Sequence, residues 1–233
     1  MIREVIHNVV EFNMISEQKK IEMPLDWELY PAKFIDRPNR FLTRVKFEGK
    51  IVESHLPDPG RLKELLFPNA KILIKKEDNP NRKTKFSTQA VWSGKELISV
   101  NSWLPNQFVH FMLLNQLFPF LNGFEFAKRE ITEGKNRFDF LVKKEKIKRY
   151  IEVKSVTLVE NDVAKFPDAV TERGARHVKH LSEMIKENIE CMVLFVVQRS
   201  DATKFSLKWE RDPIFSQTIL DAYRNGLKIN FNK

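Results

Sequence analysis

Arg137-Phe138-Asp139-Phe140-Leu141-Val142-Lys143-Lys144-Glu145-Lys146-Ile147-Lys148-Arg149-Tyr150-Ile151-Glu152-Val153-Lys154-Ser155 contains two strand candidates joined by a charged connection. Arg137–Val142 and Arg149–Thr157 are rich in Phe, Val, Ile and Tyr, the residues that suit a pleated surface. If Val142 pairs with Arg149, antiparallel register sets Asp139 directly opposite Glu152. Period-two alternation then places Arg137, Asp139, Glu152 and Lys154 on one face, and Phe138, Phe140, Val142, Ile151 and Val153 on the other. The expectation is a sheet with one apolar core face and a second face holding two carboxylates beside a lysine.

Two carboxylates a few ångströms apart repel unless a divalent cation neutralises them. Mg²⁺ (or Mn²⁺) takes oxygen ligands, and Mg²⁺ keeps several waters, which suits phosphate chemistry. Such a cation activates a water and stabilises charge on a scissile phosphate, while Lys154 orients the water or the phosphate. The ordinary alternative is an acid–base cross-strand pair on a surface hairpin, worth under about 1 kcal/mol. Two features speak against it. Ile151–Val156 reads as a mostly buried central strand, where carboxylates need a reason. The helix that follows carries Glu172, Arg173, Arg176 and His177, able to add polar groups to the same pocket.

Outward from this stretch the chain changes texture. Upstream, Phe41–Phe47, Glu48-Gly49-Lys50 and Ile51–Leu56 form a hairpin signal. Pro57-Asp58-Pro59-Gly60 breaks the chain before one or two helical turns in Arg61–Phe67. Ala70–Lys76, Phe86–Trp92 and Leu97–Asn101 complete five short strands, which suggests a compact β-barrel of OB-like type over 29–103. From 104 to 233 the order is α/β. An amphipathic helix covers 106–120, followed by strands Glu125–Ile131, Arg137–Val142 and Arg149–Thr157. A helix Val170–Asn188, a buried strand Cys191–Gln198, a helix Pro213–Asn225 after Asp212 and a last strand Leu227–Phe231 complete it. Residues 1–28 read as an N-terminal extension with an apolar stretch from Val5 to Ile15.

Net charge is +9 and the pI about 9.5, with both halves mildly basic, which favours a polyanion partner. Arg40, Arg44 and Lys85 on the barrel, with Arg137 and Arg173 beyond it, are the expected nucleic-acid contacts. Phe41, Phe47, Phe86, Trp92 and Trp103 are either stacking platforms or barrel core, the latter expected for most. His177 and His180, at i, i+3, have a zinc-compatible spacing but no third ligand nearby, so solvated or DNA-facing histidines are expected. A single cysteine, Cys191, lies in an apolar run and is expected to be buried and inert. No stretch of about 18 apolar residues occurs and no signal peptide is evident, so the expectation is a cytoplasmic protein without a membrane partner.

Asp139 followed by Glu152-Val153-Lys154-Ser155 resembles the PD-(D/E)XK nuclease-like motif. More widely, the chain resembles the sugar fermentation stimulation protein family. The matching segments are Asn39–Leu42, His55-Leu56-Pro57-Asp58-Pro59-Gly60-Arg61-Leu62, Val100–Ser102, Arg137–Phe140, Glu152–Leu158, Phe166–Gly174 and Val197–Arg199. The resemblance implies an OB-like barrel, a nuclease-like α/β domain, DNA binding and a regulatory link to sugar metabolism. Asp58 stands where the family pattern has Asn. The first α/β helix offers Asn106, His110, Asn115 and Gln116 but no acid, where many PD-(D/E)XK nucleases carry a metal-proximal Glu. Glu130 is the expected substitute, giving Asp139, Glu152 and Glu130 as metal ligands, and Asp139, Glu152 and Lys154 as catalytic groups. The leading expectation is a DNA-binding protein, regulatory in role, with a nuclease-like divalent site. The alternatives are an active Mg²⁺-dependent nuclease and an RNA-binding factor, and a homodimer is left open.

Overall fold

The structure is a computed structural model that describes residues 11–13, 20–134 and 136–233. The expected extension from Val5 to Ile15 lies outside the described residues except for Glu11–Asn13, which form β1. The barrel follows as β2 (Tyr30–Asn39), β3 (Leu42–Phe47), β4 (Lys50–His55), β5 (Lys71–Lys76), β6 (Phe86–Ser93) and β7 (Glu96–Ser99). In β3, Thr43, Val45 and Phe47 are buried while Arg44 and Lys46 face out, the alternation that makes a strand one wall of a core. The expected hairpin is present, with Glu48 and Gly49 both at positive φ (48° and 78°), as a tight two-residue turn requires.

Antiparallel pairing runs β4-β3-β2-β5-β6-β7, and a parallel contact of Ser54 with Phe86 and His55 with Ser87 closes the ring. Phe34, Val45, Phe47, Leu56, Leu65, Ile72, Ile74 and Val91 fill it. Where it closes, the fully buried hydroxyls of Thr43 and Ser54 each lie 2.9 Å from that of Thr88, so none is left unpaired. Of the one or two helical turns expected in Arg61–Phe67, only one forms. Leu62 takes a positive φ of 50°, outside helical space, and the segment makes a single turn closed by Leu66 N–H to the Leu62 carbonyl at 2.8 Å.

The second half contains α1 (Leu104–Leu114), β8 (Glu125–Glu133), β9 (Asn136–Lys144), β10 (Ile147–Val156), β11 (Val159–Glu160), β12 (Val163–Phe166), α2 (Glu172–Lys186), β13 (Glu190–Val197), β14 (Lys204–Leu207), α3 (Pro213–Arg224) and β15 (Lys228–Asn232). A five-stranded sheet runs β15-β13-β10-β9-β8, and a smaller one runs β1-β14-β12-β11. The helix expected over 106–120 stops at Leu114. Gln116 takes φ 54°, Leu117 N–H returns to the Met112 carbonyl and Gln116 N–H to the Leu113 carbonyl. That is a Schellman closure, and α2 ends the same way at Asn188 and α3 at Gly226. Asp212 starts two elements at once: its carboxylate caps α3 through Phe215 N–H (2.9 Å) and holds Thr171 N–H (2.8 Å), the residue that caps α2.

Both faces of the main sheet are apolar, which corrects the expectation of one core face and one polar face. Val109, Met112 and Leu113 of α1 pack with Phe140, Val142, Ile151, Val153, Met192 and Leu194 on one side. Val178, Leu181 and Met184 of α2 and Phe215 and Ile219 of α3 pack with Phe138, Tyr150, Val193 and Phe195 on the other. Phe138 and Phe140 therefore point to opposite sides, against simple alternation. The break coincides with Glu130, which has a positive φ of 55° opposite Asp139 in the β8–β9 ladder. Cys191 is buried as expected, and burial pushes its thiol up to about 12. Among the described residues, no helix is long and apolar enough to cross a membrane.

Candidate metal and nucleic-acid site

Val142 pairs with Arg149 as anticipated, but the β9–β10 ladder ends at Phe140 and Ile151. One step further the strands splay, and the side chain of Asp139 takes the place of a backbone acceptor. Its Oδ2 accepts from Val153 N–H at 2.7 Å and its Oδ1 from the Asn106 amide of α1 at 2.8 Å. Asp139 thus lies in the plane of the sheet, pinned between the next strand and the first helix. Burial, and next the charge of Glu152, push its carboxyl up to about 6.

Glu152 is 5% exposed. Burial raises its carboxyl, but the Lys154 charge and the bonds from His177 and Lys154 outweigh that and hold it below the usual range. Lys154 Nζ lies 2.6 Å from Glu152 Oε1, and His177 Nδ1 reaches the same oxygen at 2.8 Å. His177 is therefore a buried partner of the site and not a solvated histidine, because α2 packs on β13, the strand next to β10, and turns the imidazole toward Glu152. His180, one turn on, stacks on Phe138 at 5.7 Å. Asn106 and His177 were in view as polar residues of their helices, yet their contacts with the two carboxylates depend on helix placement, which spacing does not reveal.

Lys154, with Val153 beside it, lines a cleft of about 720 Å³ between the two halves of the molecule, while the Asp139 and Glu152 carboxylates sit behind its wall. The α/β domain supplies Val153–Thr157 and Lys165–Arg173, and the barrel supplies Arg40, Asp58, Pro59 and Gly60. Arg37 holds the barrel side through the carbonyls of Gly60 (2.7 Å) and Arg40 (2.6 Å). Across the gap, Asp168 Oδ2 accepts from Arg61 N–H at 2.9 Å. Burial first, with Asp168 nearby, pushes the Asp58 carboxyl up to about 6. Gly60 has no room for a side chain, since a Cβ there would lie 2.4 Å from Asp168 Oδ2 and 2.8 Å from Asp58 Oδ1.

Of the expected nucleic-acid contacts, Arg40 and Arg173 line this cleft, joined by Lys165. Arg44 is half exposed and bound to Asp36, with Nε to Oδ1 at 2.8 Å. Lys85 donates to the Pro80 carbonyl at 2.8 Å, outside the cleft. Glu130 and Arg137, expected respectively as a ligand and a phosphate contact, form an exposed ion pair with each other at 2.6 Å. Among the described residues no three His, Cys, Asp or Glu side chains converge into a ready-made metal cage. The donor set is a pair of carboxylates beside a lysine, which fits a hard cation that keeps most of its waters.

Comparison with known proteins adds the family. Residues 35–100 match the model described as the SfsA N-terminal OB domain, and residues 103–232 match the Sugar fermentation stimulation protein RE domain. A sugar fermentation stimulation protein homolog from Alkaliphilus metalliredigens is 40% identical over 206 residues, covering 88% of this chain and 89% of that one. One from Clostridium beijerinckii is 42% identical over 198 residues, covering 85% and 87%. The solved structure of Pyrococcus furiosus SfsA in complex with Ca²⁺ superposes with a TM-score of 0.84 at 25% identity, over 90% of this chain and 89% of that chain. With the family's OB domain followed by its RE domain matched almost end to end, the chain belongs to the sugar fermentation stimulation protein family.

Proposed function

We propose that this protein binds DNA in the cleft between barrel and α/β domain, and hydrolyses phosphodiester bonds there with Mg²⁺ or Mn²⁺ held by Asp139 and Glu152. The observation that carries this reading is Lys154, which lines that cleft and bonds the buried Glu152, with the half-buried Asp139 on the adjacent strand close enough for Glu152 to raise its carboxyl. Lys154 and His177 compensate the Glu152 charge, whereas ionised Asp139 costs the folded state free energy that a bound cation would return. When bound, the cation supplies charge for the phosphate and lowers the pKa of a bound water. Asn106 fixes Asp139, and His177 fixes Glu152, so both carboxylates are preorganised. Lys154 is the group placed to stabilise charge on the phosphate as the bond breaks. Arg40, Lys165 and Arg173 line the path of the backbone, while Arg44 and Lys85 act on approach. Glu130 is left out of the ligand set because Arg137 already holds it. The Ca²⁺ bound by the Pyrococcus relative supports a site for an oxygen-seeking cation.

A second reading is a regulatory binder that does not cleave, and it is favoured by Asn106, an amide where many related nucleases have an acid. Incubating the purified protein with supercoiled plasmid, with and without Mg²⁺ or Mn²⁺, separates the two. Nicked or linear product that needs the cation and vanishes in Glu152→Gln supports hydrolysis. Stable complexes with unbroken plasmid support the binder. An otherwise equivalent RNA substrate decides the polymer.

A further inference from the structure

A second cleft, about 270 Å³, lies at one side of the barrel, and nothing in the reading above uses it. Two indoles line it, Trp27 and Trp103, together with the side chains of His55 and Gln107. Trp103 is 63% exposed although its backbone is firmly held, its N–H donating to Asn101 Oδ1 at 3.0 Å and its carbonyl accepting from Gln107 N–H at 3.1 Å. A large indole fixed in the open, at the lip of a concave site, is a surface built to be covered.

The lining beneath it is polar and pre-ordered. The Asn101 amide donates to Gln89 Oε1 at 2.7 Å, the Gln89 amide donates to Ser87 Oγ at 2.7 Å, and Ser87 bonds Glu77. Each amide keeps one further N–H, and Glu77 keeps acceptor capacity, so the cleft offers both donors and acceptors. Lys75 and Arg82 line it too, at 3.8 and 3.5 Å from Glu77, which leaves these three groups at net +1. A flat ring with mixed hydrogen-bonding edges and an anionic tail matches all three features. Double-stranded nucleic acid does not, because its bases are stacked and paired and cannot enter a cleft this small.

The cleft is also placed to serve the carboxylate site. Gln107 lines it, and Asn106, the preceding residue of the same helix turn, bonds Asp139. From these observations we propose that the cleft lined by Trp27 and Trp103 binds an unpaired nucleobase, so that the preferred substrate is single-stranded or locally unpaired nucleic acid. The proposal rests on the nucleic-acid reading of the protein and names its substrate class.

The test compares binding of a fluorescein-labelled oligothymidylate and of a blunt duplex of the same length by anisotropy, without divalent cation. Wild type, Trp103→Ala and Trp103→Phe are measured across a salt series. Loss of one base stack weakens oligothymidylate binding about tenfold in Trp103→Ala, while duplex affinity and the salt slope stay unchanged. Trp103→Phe, which keeps a ring, retains most of the affinity and shows that the position tolerates substitution. An equal loss on both polymers, or no loss on either, overturns the proposal while leaving duplex binding in place. Wild-type protein that binds neither polymer overturns both this proposal and the DNA reading.

Discussion

Replacing Asp139 by Asn removes a charge that the fold carries at a cost. The Asp139 carboxyl rises from 3.8 to about 6, first because it is buried and next because Glu152 faces it. At about 1.4 kcal/mol per unit, a rise of roughly two units means that the ionised form destabilises the fold by about 3 kcal/mol. The sign follows from linkage: a carboxyl raised on folding imposes no penalty below its unfolded value near 3.8, and the penalty grows to its full size above about 6. Asparagine removes that penalty but has one acceptor oxygen, where the carboxylate serves both Val153 N–H and the Asn106 amide. One donor then loses its partner, at about 1–2 kcal/mol. Asp139→Asn should therefore be more stable than wild type by about 1–2 kcal/mol at pH 8 in EDTA, with no advantage at pH 4. With Mg²⁺ or Mn²⁺ present the order should reverse, because only the wild type gains stability by binding the cation. Thermal melts at both pH values, with EDTA and with cation, read this as a shift of a few degrees. A variant less stable than wild type in EDTA at pH 8 would refute the electrostatic account of the site.

Lys154→Ala should leave cation binding in place while any cleavage falls by orders of magnitude, which single-turnover kinetics on labelled DNA would report. Asn106→Asp brings a third carboxylate to Asp139 and should raise Mn²⁺ affinity while lowering stability in EDTA; calorimetry and melts measure the two effects. Arg40→Ala and Arg173→Ala should each lower the slope of log affinity against log salt by about one, without changing sequence preference. Gly60→Ala should destabilise the protein by roughly 1–3 kcal/mol, because its Cβ collides with carboxylates that Gly60 N–H and Arg61 N–H already hold in place. A melting temperature within a degree of wild type would contradict that crowding.

Much of the architecture was legible because periodicity and register are local properties. The β3–β4 hairpin, the Val142–Arg149 register and the helices behind Thr171 and Asp212 all follow from short stretches of chain. Strand β2 was not, since Pro31 and Pro38 lie within it and its pairing with β3 slips twice between Phe34 and Asn39, which erases alternation. The pairs β11–β12 and β12–β14 were missed because two to four residues are too few to show a period. Asp139, Glu152 and Lys154 could be brought near one another from the hairpin, but the ladder stops at Phe140 and Ile151, one step short of the expected Asp139–Glu152 pair. The turn of Asp139 toward Val153 N–H and the Asn106 amide was not legible, because it depends on where α1 is placed against the strands. His177 escaped for another reason: α2 packs on β13 beside β10 and buries an imidazole that its neighbours in sequence mark as a surface residue. Three of the five barrel aromatics, Phe41, Trp92 and Trp103, are exposed where core was expected for most, since a small ring needs few large side chains to fill it.

Calorimetric titration of Mn²⁺ into wild type and Glu152→Gln tests the cation site most directly. The account predicts saturable binding to the wild type that disappears in the variant, with both proteins folded by circular dichroism. Equal cation affinity in the two would mean that the Asp139 and Glu152 carboxylates do not hold a metal, and the proposed hydrolysis would lose its basis.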